Sequence, residues 1–399
     1  MVARKARMTL PWMFLIMGMS SMAWIPRIPE IKLELGLNDA QFGLLLAASS
    51  VGAVIGAQNS GKVVHAIGSK NVLRITQVVM PIGVITMGAT MSVPGLMAGL
   101  FIMGLGYAGM DIAANSQAVV AEEALKKKFL ASLHGAWSIG TFITALTGGL
   151  IAQVVTPSQH LIVAGLVALI LFLPMSEQMM GREFDKHIGV QGTKSKMPWF
   201  GGKYWLLWAF AIGSLGSFIA EGAAMDWGGI LLAEHMGVPF GLTASVFATF
   251  SLAMIISRFT ADSIMERIGP RKTVTSVGLI GGGLWVASIW SAVALSDAQP
   301  LLAMILINTG FFFAGLAIGP MFPAFIAESA KIEGVPPSLG IARIGVISIA
   351  GYFIGPTITG FISELTTLPT AMMYPALALV LSGWLGRYLS SSQDSSSKL

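Results

Sequence analysis

The chain alternates between long continuous apolar runs and short polar breaks. A bilayer core takes about 20 apolar residues per helix. Twelve runs of that kind fall near 8–27, 40–60, 72–92, 95–120, 130–154, 159–175, 204–233, 240–260, 273–295, 300–326, 338–362 and 368–388. Within them the apolar residues are continuous and do not alternate, which predicts helices and argues against the strands of a membrane barrel. The expected class is all-α integral membrane, with twelve transmembrane helices.

Composition agrees. Of the 399 residues, 54% are hydrophobic and only 11% charged, against about 25% charged in a typical soluble domain. The 47 glycines suit close helix packing in lipid. The basic start, Met1 to Arg7, leads into the first run as a signal peptide would. The chain then reads Ile25-Pro26-Arg27 where a small-residue cleavage site would stand, so a retained first span is expected.

Charge placement sets the expected orientation. With twelve spans and an inside N-terminus, the outer loops hold only Arg27 and Lys32 of the 24 basic residues. The rest, including Lys62, Lys70, Lys126, Lys127, Lys128 and Arg182, lie in or toward cytoplasmic segments, as the positive-inside rule requires. Both termini are therefore expected on the cytoplasmic side of a bacterial inner membrane. The net charge of +5 is spread over loop ends, so nucleic acid is not an expected partner.

A polar stretch divides the chain into an N-terminal bundle at 1–176, a cytoplasmic linker at 177–202 and a C-terminal bundle at 203–399. Residues 108–124 align without gaps on 314–330, with identities at Ala108/Ala314, Gly109/Gly315, Ile112/Ile318, Ala118/Ala324, Ala121/Ala327, Glu122/Glu328 and Ala124/Ala330. Span four thus matches span ten, which predicts two six-helix, pseudo-symmetric bundles. Repeats of this kind place a solute site near the midplane between the halves.

Two loops carry a related motif. One reads Gly61-Lys62-Val63-Val64-His65-Ala66-Ile67-Gly68-Ser69-Lys70, the other Asp262-Ser263-Ile264-Met265-Glu266-Arg267-Ile268-Gly269-Pro270-Arg271-Lys272. They resemble the Gly-x-x-x-Asp-Arg-x-Gly-x-Arg loop of the major facilitator superfamily. In the first copy His65 and Ala66 stand where the acid and base would be. The resemblance implies gating roles for Gly61, Gly68, Lys70, Asp262, Glu266, Arg267, Gly269 and Arg271; plain positive-inside anchoring is the alternative. Within the superfamily, Asp111-Ile112-Ala113-Ala114-Asn115 and Glu221 followed by Trp227 resemble the fucose-permease-like sugar:proton symporters and their bacterial relatives. That branch implies alternating-access symport of a small polar solute, such as a sugar or derivative, with protons, by a monomer. Ser116-Gln117 departs from the sugar pattern, where a Pro-aromatic pair would stand.

The residues support this on their own chemistry. An ionised carboxylate in the bilayer core is costly and persists when it faces a partner or a wet cavity. Asp111 and Glu221 fall mid-span and are the proton-coupling candidates, with a structural hydrogen bond or ion pair as the alternative. Asn115 lies one turn from Asp111, on the same face. Asp226 is expected at a rim. Trp24 and Trp227 sit at comparable depths and would stack on a solute or form a gate; an interfacial aromatic belt accounts for them equally. His134 and Trp137 lie on span five, His134 within possible reach of Asp111. Gln117, Asn308 and Tyr352 are polar candidates for solute recognition, although interhelical polar contacts are common in membranes. Arg27 is expected to snorkel outward, and Arg343 to snorkel or hold an anion. Gly52 and Gly56, and Gly351, Gly355 and Gly360, predict close helix faces.

Enzyme readings find no footing. There is no cysteine, no Walker loop and no His-Glu-x-x-His, and the five histidines are scattered. No cofactor or metal is expected. Two other readings remain: proton-antiport efflux of amphipathic compounds, and a membrane sensor or assembly partner that transports nothing.

Overall fold

The computed structural model describes residues 2–127, 129–187, 204–333, 335 and 337–390. Lys128, most of the expected linker (188–202) and the tail from 391 lie outside these. The described residues are mostly helical, with short connections and no strand among them. Lipid offers no hydrogen-bond partners, so each spanning segment must pair its backbone internally, and a helix does so.

The first half holds α1 (Val2–Ser21), α2 (Ile28–Glu34), α3 (Asp39–Ile67), α4 (Ser69–Ala89), α5 (Val93–Leu125), α6 (Leu130–Ile151) and α7 (Pro157–Glu177). The second holds α8 (Trp205–Met236), α9 (Phe240–Ile268), α10 (Pro270–Leu295), α11 (Pro300–Ile318), α12 (Met321–Ser329), α13 (Pro337–Leu365), α14 (Leu368–Ala371) and α15 (Met373–Leu385). Among the described residues, eleven spans are long and apolar enough to cross a bilayer. The twelfth, α6, has 22 residues, about 33 Å of helix. Its apolar run is diluted by His134, Ser138, Thr141, Thr144 and Thr147.

The chain divides into two compact units. Unit 1 is Met1–Leu37, Leu44–Gly192 and Phe240–Ala244; unit 2 is Asn38–Gly43, Thr193–Pro239 and Ser245–Leu399.

Several span ends differ from expectation. The apolar runs at 40–60 and 240–260 continue as helix to Ile67 and Ile268, beyond the apolar stretch. They stop where Gly68 and Gly269 adopt φ of 87° and 86°, a region that glycine enters without a Cβ penalty. The first span starts at Val2 and breaks after Ser21, because Pro26 and Pro29 open new helical segments. Span ten is likewise cut into α11 and α12 at Gly319-Pro320. Its repeat partner α5 has Ala113-Ala114 there and runs unbroken.

Glycine sets the helix spacing within each unit. A Cβ on Gly52 would meet the Phe101 carbonyl oxygen at 2.1 Å, and one on Gly104 the Ser49 carbonyl oxygen at 2.2 Å, so α3 and α5 touch backbone to backbone. In unit 2 a Cβ on Gly351 would meet Leu215, and one on Gly355 would meet Ile219, at 2.6 and 2.9 Å, bringing α13 against α8.

Gly52→Val is therefore expected to destabilise the chain by about 1–3 kcal/mol or more, read as a lower Tm in detergent. Gly283, with nothing within 4 Å of its would-be Cβ, gives the control: Gly283→Ala leaves Tm unchanged or raises it by helix propensity. An unchanged Tm for Gly52→Val contradicts the packing argument.

Candidate functional site

In unit 1, α5 carries a half-buried Asp111, and Asn115 sits one turn further on. The Asn115 amide nitrogen donates to the Asp111 carboxylate Oδ1 at 3.0 Å and to the Asp111 carbonyl at 2.8 Å. His134 of α6 places Nε2 at 3.2 Å from Asn115 Oδ1. An amide oxygen can only accept, so with the amide in this orientation the imidazole donates from Nε2. The sequence suggested a direct His134–Asp111 contact; the structure inserts Asn115 between them. The result is a directional chain, His134 to Asn115 to Asp111. His134 is exposed and meets the Phe14 ring of α1 edge-on, centroids 5.4 Å apart. Trp137, one turn from His134, is half-buried.

In unit 2, Glu221 on α8 is almost fully buried and pairs with Arg258 of α9, Nη2 to Oε1 3.7 Å. Arg258 is the residue the sequence reading missed. Its signal was present: Arg258 falls inside the apolar run 240–260 and not in the loop after it, yet it was counted with the loop charges. Asp226 is half-buried on α8. Five residues of helix turn it roughly 140° from Glu221, so the two acids do not share a face.

Other candidates are committed to packing. Gln117 is fully buried. Its amide donates to Ser69 Oγ at 2.7 Å and the Met180 carbonyl at 2.8 Å, and accepts from the Met180 N–H at 2.8 Å. These bonds anchor the segment after α7 to α5. Trp227 is 0% exposed, and its indole N–H donates to the Pro356 carbonyl at 3.0 Å, so its faces are not open for stacking. Trp24 is 4% exposed and likewise packed. Asn308 accepts from Thr249 at 2.9 Å and donates to Ser245 and to the Met304 carbonyl, joining α11 to α9 beside a groove of about 440 Å³. Tyr352 is half-buried, with its hydroxyl 3.6 Å from Met225 Sδ.

Arg27 does not snorkel. It is 0% exposed, makes a two-point pair with Glu30 at 2.9 and 2.7 Å, and donates to the Val155 carbonyl at 2.6 Å. It ties the turn after α1 to the connection between α6 and α7.

The motif loops also resolve. Gly61 lies inside α3 with open space around it; only Gly68 sits at the turn. Asp185, from the segment after α7, accepts from Ser69 N–H at 2.8 Å and Ser69 Oγ at 2.7 Å, while Arg182 reaches the His65 carbonyl at 3.5 Å. An acid from elsewhere in the same unit therefore meets the first motif loop at Ser69. Lys70 bonds the Glu177 carbonyl at 2.9 Å. In unit 2 Asp262, Glu266 and Arg267 are exposed on the last turns of α9, Gly269 makes the turn, and the Arg271 N–H donates to the Ser390 carbonyl at 3.4 Å. Glu328 accepts from Ser390 N–H and Oγ at 3.2 and 2.8 Å. Its repeat partner Glu122 instead caps α6 through the N–H groups of Phe129 and Leu130.

Comparison with known proteins gives the family and the fold. The sequence profile of the Major Facilitator Superfamily matches residues 12–335. A transporter of Yersinia pestis described as an uncharacterised MFS type is 28% identical over 92% of this chain and 91% of its own length. The 4-hydroxybenzoate transporter of Pseudomonas aeruginosa is 23% identical over 87% and 84%. Among solved structures, a D-xylose–proton symporter aligns with a TM-score of 0.74 at 11% identity, covering 98% of this chain and 99% of that one. The E. coli fucose:proton symporter aligns with 0.59 at 18%, covering 97% and 98%. At these identities the structural likeness is one of fold.

Gln117→Leu leaves the Met180 backbone groups without partners and is expected to cost about 1–3 kcal/mol, lowering Tm while solute affinity is unchanged. Lost affinity at an unchanged Tm would return Gln117 to the solute site.

Proposed function

The chain belongs to the Major Facilitator Superfamily, and on that premise we propose that it moves a small polar solute across the membrane by alternating access, in symport with protons. The family and the relatives that match are transporters, not enzymes. The observation that carries the proton half of the reading is the His134–Asn115–Asp111 chain. An acid within a membrane helix is linked, through oriented hydrogen bonds, to a side chain exposed at the surface of its unit. A carboxylate can cross a hydrocarbon layer cheaply only when neutral, so a proton on Asp111 is the natural companion of its passage through an occluded state.

Two structures that share the fold are titled as sugar:proton symporters, and the symport reading takes its solute and ion from them. The 4-hydroxybenzoate relative widens the solute class from sugars to small aromatic acids. We place the protein in a bacterial inner membrane with both termini cytoplasmic, on the distribution of basic residues; a monomer is part of the same proposal. The division into bundles at 1–176 and 203–399 joined by a cytoplasmic linker belongs to the same proposal. Glu221 is the second proton candidate, held by Arg258.

In proteoliposomes, an inward proton gradient is expected to drive solute accumulation by the wild type. Asp111→Asn keeps solute exchange across the membrane but loses accumulation against a gradient, the usual split when coupling and binding are separate free energies. Asn115→Ala weakens accumulation less. Accumulation that ignores the imposed pH gradient overturns the coupling, and full accumulation by Asp111→Asn removes Asp111 from it.

A further inference from the structure

Arg387 carries a charge that no carboxylate answers among the described residues. It lies in the short turn Gly386–Tyr388 after α15, at the end of unit 2 where α8 and α10 begin. Its guanidinium carbon stands 3.4 Å from the centre of the Trp384 ring and 4.6 Å from that of Tyr388. Nη2 donates to the Tyr388 hydroxyl, which keeps its own hydrogen to give. Nε is buried with no partner. Arg27 shows the contrast in the same chain, closed on Glu30 at 2.9 and 2.7 Å, the two-point geometry in which a guanidinium is held most strongly.

Arg271 and Lys272 bring further positive charge to this end. Both stand exposed in the first turn of α10, and no acid pairs with either among the described residues. Their turn packs on the same segment. The Arg271 N–H donates to the Ser390 carbonyl at 3.4 Å, and a Cβ on Gly386 would meet Val274 at 2.7 Å and Thr275 N and Oγ1 at 3.1 Å. Thr275 Oγ1 is also buried without a partner. Glu328, an acid that reaches this segment, is taken up by Ser390 and Lys331.

Aromatic and apolar side chains complete the surroundings. Trp205, the first residue of α8, is exposed and meets Tyr388 edge-on, centroids 5.0 Å apart. Trp384 meets Tyr388 edge-on at 6.3 Å. Tryptophan and tyrosine at the ends of spans favour the headgroup level of a bilayer. Trp384 also ends a stripe. Leu377, Leu381 and Trp384 are exposed, and their helical spacing places them on one face of α15. The stripe runs along a membrane span and ends at the ring on which the guanidinium rests.

We propose that this end of unit 2 binds an anionic phospholipid, its phosphate held by Arg387 with the Tyr388 hydroxyl and flanked by Arg271 and Lys272, and one acyl chain lying along Leu377, Leu381 and Trp384. The site is separate from the proton and solute candidates and does not depend on the transport reading. A phosphate supplies the acceptor oxygens that the guanidinium lacks. Free phosphate would meet the charges and leave the stripe unused. A zwitterionic headgroup would bring its own cation up against Arg271 and Lys272. An acidic protein segment would answer the charges but not a stripe that faces along a span. An anionic lipid answers both, and basic residues at the membrane surface add to its attraction.

The test is a lipid titration of the purified full chain in detergent, with bound lipid counted by native mass spectrometry and stability read as Tm. Phosphatidylglycerol is the probe. Phosphatidylcholine with the same acyl chains and inorganic phosphate are the comparisons. Phosphatidylglycerol is expected to bind saturably and raise Tm, and neither comparison is. Arg387→Gln lowers that affinity by about tenfold or more, the loss expected for a hydrogen bond between charged groups. Arg271→Gln combined with Lys272→Gln lowers it several-fold and leaves the lipid-free Tm unchanged, because both side chains are exposed. A cation–π clasp with a structural role alone gives the reverse: Arg387→Gln lowers the lipid-free Tm and phosphatidylglycerol binds as before. That result overturns the proposal. So does phosphatidylcholine binding as tightly as phosphatidylglycerol, or full affinity in the double variant. An equal rise in Tm from inorganic phosphate overturns it as well and leaves an anion site without a lipid. Should Arg387→Gln fail to fold, the headgroup comparison and the double variant still decide.

Discussion

Hydrocarbon neither hydrogen-bonds nor solvates charge, and that constraint orders this protein. An unsatisfied polar group in the bilayer costs several kcal/mol, which favours meeting the polar residues that enter it from within the chain. The meeting is between helices in the cases that define the structure. Asn115 bridges Asp111 of α5 to His134 of α6. Arg258 of α9 holds Glu221 of α8. Asn308 joins α11 to Thr249 and Ser245 of α9. Arg27 closes on Glu30 and the Val155 carbonyl. The same requirement makes each polar group a fastener between helices and a point where a proton or a charged solute can change the local balance.

The helices were legible because continuous apolar length is a one-dimensional property. Their ends were less so. α3 and α9 run on through their motif stretches, since a helix leaving the bilayer needs no apolar residues to continue; only the positive φ at Gly68 and Gly269 stops it. The proline breaks near Pro26 and Pro320 were visible as residues, but their consequence depends on the neighbours that accept the bend. The repeat of span four in span ten was legible, and it hid a divergence: Glu122 caps the next helix, whereas Glu328 receives Ser390.

The site shows the same boundary. Asp111 and Asn115 were readable as a pair because helical spacing places them on one face. That His134 joins through Asn115 was not, because the contact crosses helices. Residue type told that Gln117 and Trp227 needed partners but not which; the structure gives them Met180 with Ser69, and Pro356. Arg258 was overlooked for the opposite reason, its charge having been assigned to a loop count before its depth was weighed. The bonds from Ser69 to Asp185 were likewise hidden, because they join the first motif loop to a segment over a hundred residues on.

If charge neutralisation governs transport, the proton must move with the solute. A pH-sensitive dye trapped in proteoliposomes reads this directly, with no imposed gradient. Adding transported solute outside is expected to acidify the interior in the wild type, and to leave it unchanged in Asp111→Asn vesicles that still exchange solute. Acidification of equal size in both, or none in the wild type while solute enters, contradicts the account.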